Sequence, residues 1–410
     1  MSGLVGAGRT EVARAAFGID KYFSGEVILN DKKLKKCSPR ESVKHGFCLL
    51  PENRKTEGLA LPRDVSENMK FAKRHLCDLS FCYAAASIQA DGREKFLFAT
   101  DDTGPCRCID PETFETENVW DEPGGTMSII PVPGTDGDFL ASQNFLPGFS
   151  ALHARIVRAR RENGAWQVQP WLDMPYVHRF DILERDGVRY LLCCILSSTE
   201  MPQADMTCPG RLIAAELSDD FSAPAEFTVI ADGMTKNHGY CRVERDGYTE
   251  AFTACDEGVF TAVPPEHRGG RWEVRKILDA HASDIAVCDI DGDGAEELAV
   301  IEPFHGSDFV VYHKTSDGYK EMYRYPEKME FVHAAWGGML RGEPVFLGGC
   351  RAVNKELFML RWKNGKIQAE TIETGYGPSN VAVLHGRNED RILAANRESA
   401  EAALFMVYDD

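Results

Sequence analysis

From Leu79 to the C-terminus, apolar residues come in runs of about four to seven, interrupted by glycine, proline and aspartate. The runs are rich in β-branched and aromatic residues and too short for the one-sided stripe of a helix, so they predict strands. One pattern recurs: a short apolar run, a turn carrying Asp-Gly or a similar pair, a second apolar run, a polar loop and a third run. Its copies are CYAAASIQADG, MSIIPVPGTDG, VHRFDILERDG, NHGYCRVERDG, AHASDIAVCDIDGDG, VHAAWGGMLRG and SNVAVLHGRNED. Alignment on the turns puts Tyr83, Ser128, His178, His238, His281, His333 and Asn380 at one shared position, spaced 43 to 60 residues apart.

Repeats of that length, made of short strands, are the signature of propeller blades, four-stranded sheets that cannot bury their faces alone. Seven copies predict a mainly β fold, a seven-bladed β-propeller over residues 77–410, preceded by a separate segment 1–76. The first and last copies match least closely, so six or eight blades stay open. In a propeller the innermost strand of each blade starts near the axis, and the loop between the second and third strands returns to the same face. The shared position is therefore expected on the rim of a central channel.

Four of its seven occupants, His178, His238, His281 and His333, are histidines in a chain that has only 11. Imidazoles ligate borderline-soft divalent metals or act as bases near neutrality. The plainer alternative is a rim histidine that caps a strand or holds water. Loops expected on the same face add Gln143, Asn144, Asp256, Glu302, His305, Arg351 and Arg397. Arginines beside imidazoles and a carboxylate suit an anionic or carbonyl-bearing ligand.

A net charge of −18 and a pI near 5.1 oppose binding to nucleic acid, which needs clustered Lys and Arg. The start of the chain lacks a charged segment followed by an apolar core, and no 18-residue apolar run occurs, so a cytoplasmic chain without membrane insertion is expected. The 13 cysteines are scattered through strand-like runs, with neighbours such as Cys193 and Cys194 facing opposite ways, and read as reduced core thiols. Oligomeric state has no signature in the sequence.

The fifth copy carries Asp289, Asp291 and Asp293 at alternate positions of a glycine-bearing turn, followed by Glu297. Such spacing gathers hard oxygens around one point, as Ca2+ or Mg2+ requires. The run resembles the DxDxDG loop of FG-GAP and VCBS-type propeller repeats. That resemblance implies Asp289, Asp291, Asp293 and Glu297 as side-chain ligands, with the carbonyl of Ala295, in a site that braces a blade.

Residues 3 to 10 fit the phosphate-cradling spacing GxxxxGK[ST] at Gly3, Gly6, Gly8 and Thr10, except that Arg9 stands where lysine is usual. Together with PENRKTEGL at 51–59 and VSEN at 65–68, this stretch resembles the second ATP-binding half of bacterial sugar-importer ABC ATPases. The sequence opens inside the loop, and beyond Ala72 it has no signature motif, Walker B strand or switch histidine. The resemblance therefore implies a truncated, vestigial nucleotide site without hydrolysis.

The repeat type and histidine-lined axis resemble propeller enzymes acting on sugars, the aldos-2-ulose dehydratases and the seven-bladed polysaccharide and oligogalacturonate lyases. The resemblance implies a metal-assisted lyase or dehydratase acting on a sugar acid or ketose. His178, His238, His281 and His333 would include the ligands of a divalent transition metal, Arg351 or Arg397 would clamp a carboxylate, and His305 or Tyr83 would be the base. The alternatives are a non-catalytic propeller that binds carbohydrate or protein, and an ATP-binding remnant of a sugar transporter.

Overall fold

The computed structural model describes residues 9–21, 24, 26–29, 32–33, 38–39, 42, 69–224 and 226–408. The chain divides into two compact units, Met1–Met69 and Lys70–Asp409, with Asp410 grouped with the first. In the first unit, helix Arg9–Phe17 precedes a short ladder between Ile28–Leu29 and Lys32–Lys33. Arg14 in the last turn of the helix pairs with Asp20 at 2.8 Å, and the Ser42 hydroxyl donates to the Phe17 carbonyl at 2.8 Å. Among the described residues no helix is long and apolar enough to cross a membrane.

The second unit is the seven-bladed propeller. Its blades, from the innermost strand outward, are Cys82–Ala90, Arg93–Thr100, Cys106–Ile109 and Thr116–Trp120; then Ile129–Pro131, Phe139–Gln143, Arg155–Glu162 and Ala165–Asp173; then Val177–Arg185, Val188–Ile195, Gly210–Glu216 and Thr228–Met234. Blade four is Gly239–Arg245, Tyr248–Cys255, Gly258–Val263 and Glu273–Leu278, and blade five is Asp284–Cys288, Glu297–Glu302, Asp308–Thr315 and Gly318–Arg324. Blade six is Glu330–Leu340, Glu343–Ala352, Leu357–Lys363 and Lys366–Glu373. Blade seven takes Pro378–His385, Asp390–Asn396 and Glu401–Tyr408 from the end of the chain and its outer strand, Lys70–Asp78, from the start. Phe71 pairs with Val407 and His75 with Ala403, closing the ring. The two units accordingly divide after Met69, ahead of the 76/77 boundary expected from sequence.

Side-chain alternation explains why the sheets stack. In strand Glu297–Glu302, Leu298 and Val300 join Phe252 and Val259 of blade four in one core, while Ala299 and Ile301 join Phe346 and Phe358 of blade six in another. Both faces are buried, so the strand is apolar at successive positions. Each fully buried large apolar side chain contributes roughly 1.5–3 kcal/mol, and the cores lie between blades, so no blade keeps its core without neighbours.

The start of the innermost strands is irregular in a repeated way. In blades one, three, six and seven the ladder skips one residue, namely Tyr83, His178, His333 and Ser379. Such a bulge re-aims the skipped side chain. In blades two, four and five the same place is held by Ser128, His238 and Ser283, each just before its strand. All seven are buried. Two residues upstream, Phe81, Tyr176, Lys236, Phe331 and Gly377 adopt left-handed backbone with φ of 56°, 61°, 54°, 56° and 68°. A left-handed residue with a side chain costs about 1–2 kcal/mol, and its recurrence marks a turn that the architecture requires.

The clasp in blade seven makes the propeller sensitive to where its first strand begins. A chain starting at Leu79 is expected to melt roughly 10 °C or more below a chain starting at Lys70, since the loss of an entire paired strand removes several kcal/mol. Equal melting temperatures for the two truncations would contradict the assigned closure.

Candidate functional site

The seven skipped or strand-leading residues form a collar around the axis. The His178 Nδ1 lies 3.2 Å from the His238 carbonyl, the His238 Nδ1 lies 3.0 Å from the Ser283 carbonyl, and the His333 Nδ1 lies 2.7 Å from the Ser379 carbonyl. The Ser128 hydroxyl donates to the His178 carbonyl at 3.3 Å, and the Ser379 hydroxyl to the Cys82 carbonyl at 3.0 Å. Each side chain thus reaches the backbone of the next blade. A carbonyl only accepts, so each of the three Nδ1 atoms carries the hydrogen and each Nε2 keeps its lone pair. Gly239 permits the approach of blades four and five, because a Cβ there would lie 2.6 Å from the Asp284 Cα and 2.7 Å from the Ser283 carbonyl oxygen.

Above the collar lies a cavity of about 290 Å³ lined by His178, His238, His305, His333 and Tyr83, with Asp101, Arg351 and Arg397. Ring nitrogens of His238, His305 and His333 all lie within 4.8 Å of one another. The Nε2 atoms of His305 and His238 are 3.1 Å apart, and the Tyr83 hydroxyl lies 3.1 Å from the His333 Nε2, to which it donates. His178 stacks on His238 with ring centroids 3.9 Å apart and props that ring. Burial pushes His178, His238 and His333 far below the ordinary imidazole range. His305 is pushed down to about 3 by burial and by the nearby Arg351 and Lys236. Neutral imidazoles are the form that binds metal; here the inward lone pairs of His238 and His333 accept from the His305 ring and the Tyr83 hydroxyl, donors that a metal would displace.

The cationic groups are held in a fixed array. The Arg351 Nε and Nη2 bond the Glu398 Oε1 at 2.9 and 2.8 Å, and the Arg397 Nη1 reaches the same oxygen at 3.2 Å. The Arg397 Nε also donates to the Asp101 Oδ2 at 2.6 Å. Aromatic rings pack the walls: Phe304 stacks on His305 at 4.1 Å, Phe145 meets His178 edge-on, and Phe331 lies under the Arg351 guanidinium at 4.1 Å.

Beneath the collar a second chamber of about 510 Å³ follows the inner strands. Arg179 of blade three crosses the axis there, donating to the Met127 carbonyl at 2.6 Å and to the Asn380 Oδ1 at 3.1 Å, with the Asp284 Oδ2 3.9 Å away. The Asp284 Oδ1 accepts from the backbone N–H groups of Tyr240 and Ile285. Burial raises its carboxyl to about 6.

The acidic loop of blade five is a compact turn. The Asp289 carboxylate accepts from the N–H groups of Gly292 and Gly294 at 2.8 and 3.0 Å, and the Glu297 Oε2 from that of Ile290 at 2.9 Å. Asp289, Asp291 and Asp293 bring oxygens within 4.8 Å of one another, and Asp291 and Glu297 do so with His313, whose Nδ1 lies 2.7 Å from the Glu297 Oε1. His313 is absent from the sequence-based ligand set.

The structure redistributes several expected residues. His281 is exposed and outside the cavity, and Ser283 holds the collar place in blade five. There the acidic loop replaces a tight turn, so counting back from it overshoots the collar. Asn380 lies one residue past the bulge, where it holds Arg179 and donates to the Tyr83 carbonyl at 2.8 Å. His305, expected as a base, joins His238 and His333. Gln143 accepts from Arg155, Asp256 pairs with Lys236 at 2.7 Å, and Glu302 accepts from Tyr312 at 2.6 Å. Gly3, Gly6, Gly8 and the segments 51–59 and 65–68 lie outside the described residues; Arg9 and Thr10 open helix Arg9–Phe17. Asp101 was not among the expected site residues.

No family model matches the chain. The N-terminal stretch is similar to the ribose/galactose/methyl galactoside import ATP-binding protein 1 of Rhizobium etli, 51% identical over 72 residues, which is 18% of this chain and 14% of that protein. It is also similar to the ribose import ATP-binding protein RbsA of Lacticaseibacillus paracasei, 52% identical over 68 residues, 17% of this chain and 14% of that one. The chain thus spans about one seventh of the length of these curated relatives. The extracellular domain of a one-component system, BT4673 of B. thetaiotaomicron, superposes on 82% of this chain and 39% of its own, with a TM-score of 0.50 and 11% identity, a likeness of fold alone.

The buried carboxyl below the collar supplies a pH signature. A carboxyl raised in the folded protein holds its proton more tightly than in the unfolded chain. Its contribution is therefore fully present below about pH 4 and is lost as pH rises to about 6. Asp284→Asn keeps the Oδ1 acceptor for Tyr240 and Ile285 and removes that loss. The variant is expected to gain on the wild type in urea unfolding between pH 4 and pH 6; a stability difference that stays constant across this window would refute the assignment.

Proposed function

We propose that the collar cavity holds one divalent transition metal on the ring nitrogens of His238, His305 and His333, and that the propeller is a lyase or dehydratase of a sugar acid or ketose. The convergence of those three neutral imidazoles carries the reading. The donor set fits such an ion: three nitrogens, two of them fixed in tautomer by carbonyls, and no carboxylate among the three. When bound, the metal would supply Lewis-acid polarisation of a carbonyl or carboxylate oxygen.

The chain's own groups do the rest. Arg351 and Arg397, held by Glu398 and Asp101, orient an anionic end of the substrate. Phe145, Phe304 and Phe331 keep water out and strengthen every charge interaction inside. Burial raises Tyr83 to about 12, so its phenol stays protonated and, rather than acting as a base, holds a substrate oxygen by a hydrogen bond. A sugar substrate agrees with the sugars in the names of the N-terminal relatives.

In the same reading the loop of Asp289, Asp291, Asp293 and Glu297 takes Ca2+ or Mg2+ and braces blade five. The eleven described cysteines are all free, in keeping with a cytoplasmic, reducing setting. ATP binding by the first unit is a separate reading that rests on its 51% identity to import ATPases; titration of the full chain with ATP decides it.

A second reading of the cavity, a non-catalytic carbohydrate-binding propeller, is favoured by its aromatic lining and by Phe81, 41% exposed beside Arg397. Elemental analysis separates the two. About one transition metal per chain is expected, lost in His305→Ala and in His333→Ala, together with new ultraviolet absorbance from β-elimination on a sugar-acid panel. Protein with neither metal nor product defeats the lyase reading.

A further inference from the structure

Asp101 ends the second strand of blade one, where the chain turns back to the axial face. Its backbone N–H is tied to the Phe81 carbonyl at 3.1 Å, and the neighbouring Thr100 hydroxyl donates to the Asp102 carbonyl at 2.9 Å, so the position is well fixed. The side chain is 7% exposed and lines the histidine cavity. One carboxylate oxygen, Oδ2, is taken by Arg397 at 2.6 Å. The other, Oδ1, is buried without a hydrogen-bond partner among the described residues.

An unpaired buried carboxylate oxygen costs about 1–3 kcal/mol or more, which a donor arriving with a ligand removes. The surroundings select among donors. Arg351 and Arg397 line the cavity, each paired with a carboxylate, and Lys236, paired with Asp256, lies near His305; a ligand ammonium would approach these cations, whereas a neutral hydroxyl carries no charge to be repelled. The same arginines favour a ligand carboxylate.

The geometry points to Asp101 as the acceptor for a ligand hydroxyl, which makes the cavity a site for hydroxy acids rather than for simple carboxylates. This deepens the function proposed above by naming the ligand class of that cavity. Asp101 is here a binding residue, and its removal leaves the metal ligands in place.

The test compares glycolate with acetate, two anions that differ by one hydroxyl, by isothermal titration calorimetry of the full chain, as purified and after chelation of metal. Wild type is expected to bind glycolate about tenfold or more tightly than acetate, as suits a hydrogen bond to a charged group. Asp101→Leu, which has no acceptor, is expected to bind the two about equally. Should that variant fail to fold, Asp101→Ala replaces it and is expected to lose the preference while its melting temperature shows an intact fold. Equal binding by wild type, no binding of either anion, or a preference that survives the variants overturns the proposal. A preference dependent on Asp101 in protein that carries no metal would sink the metal-lyase reading and leave this one standing. Metal and elimination activity without the preference would do the reverse.

Discussion

Backbone carbonyls at the start of the innermost strands govern the axis. Each of three histidines must satisfy a carbonyl of the next blade in a buried setting where an unmet acceptor is expensive. That one demand places the hydrogen on Nδ1, turns Nε2 inward and ties the blades together. The bulges at Tyr83, His178, His333 and Ser379, and the left-handed residues two positions upstream, are the backbone cost of delivering those side chains. Structure and chemistry therefore share the same bonds, and weakening the ring at this level would also misdirect the imidazoles.

The blades were legible in the chain because strand alternation and Asp-Gly turns are local, and the repeat multiplied a weak signal seven times. The axial position of His178, His238 and His333 followed from the same alignment. What escaped was set by geometry that no local pattern carries. A bulge shifts the collar by one residue in blade seven, and the acidic loop of blade five hides Ser283 behind the more visible His281. His305 was legible as a rim residue, but its ring points at His238, which places it among possible metal ligands instead of alone as a base. Asp101 gave no sequence signal, since its interest lies in one oxygen that no described residue hydrogen-bonds. Strand Lys70–Asp78 reads in sequence as the tail of the segment before it because the strand it pairs with, Glu401–Tyr408, is more than 300 residues away.

The channel is divided by chemistry as well as by the collar. Above it, imidazoles and phenyl rings make a small pocket with cations at one side. Below it, Arg179 draws on blades two, five and seven in a larger polar chamber. A ligand in the upper pocket is thus backed by a fixed guanidinium beneath the collar.

The clasp of blade seven also has a consequence in time. During synthesis Lys70–Asp78 is made before any blade is complete, yet its partner Glu401–Tyr408 follows the strands of the other six blades, so an unpaired strand must wait while almost the whole propeller is translated. Bare strand edges recruit other chains. This one carries Lys70, Lys73, Arg74 and His75 in an otherwise acidic protein. Two copies of the waiting strand would repel each other at close range, while the folded ring meets the strand with Glu373 and Glu401, which pair with Lys73 at 2.9 and 2.8 Å. The charge that keeps nascent chains apart is the charge that the finished ring recognises.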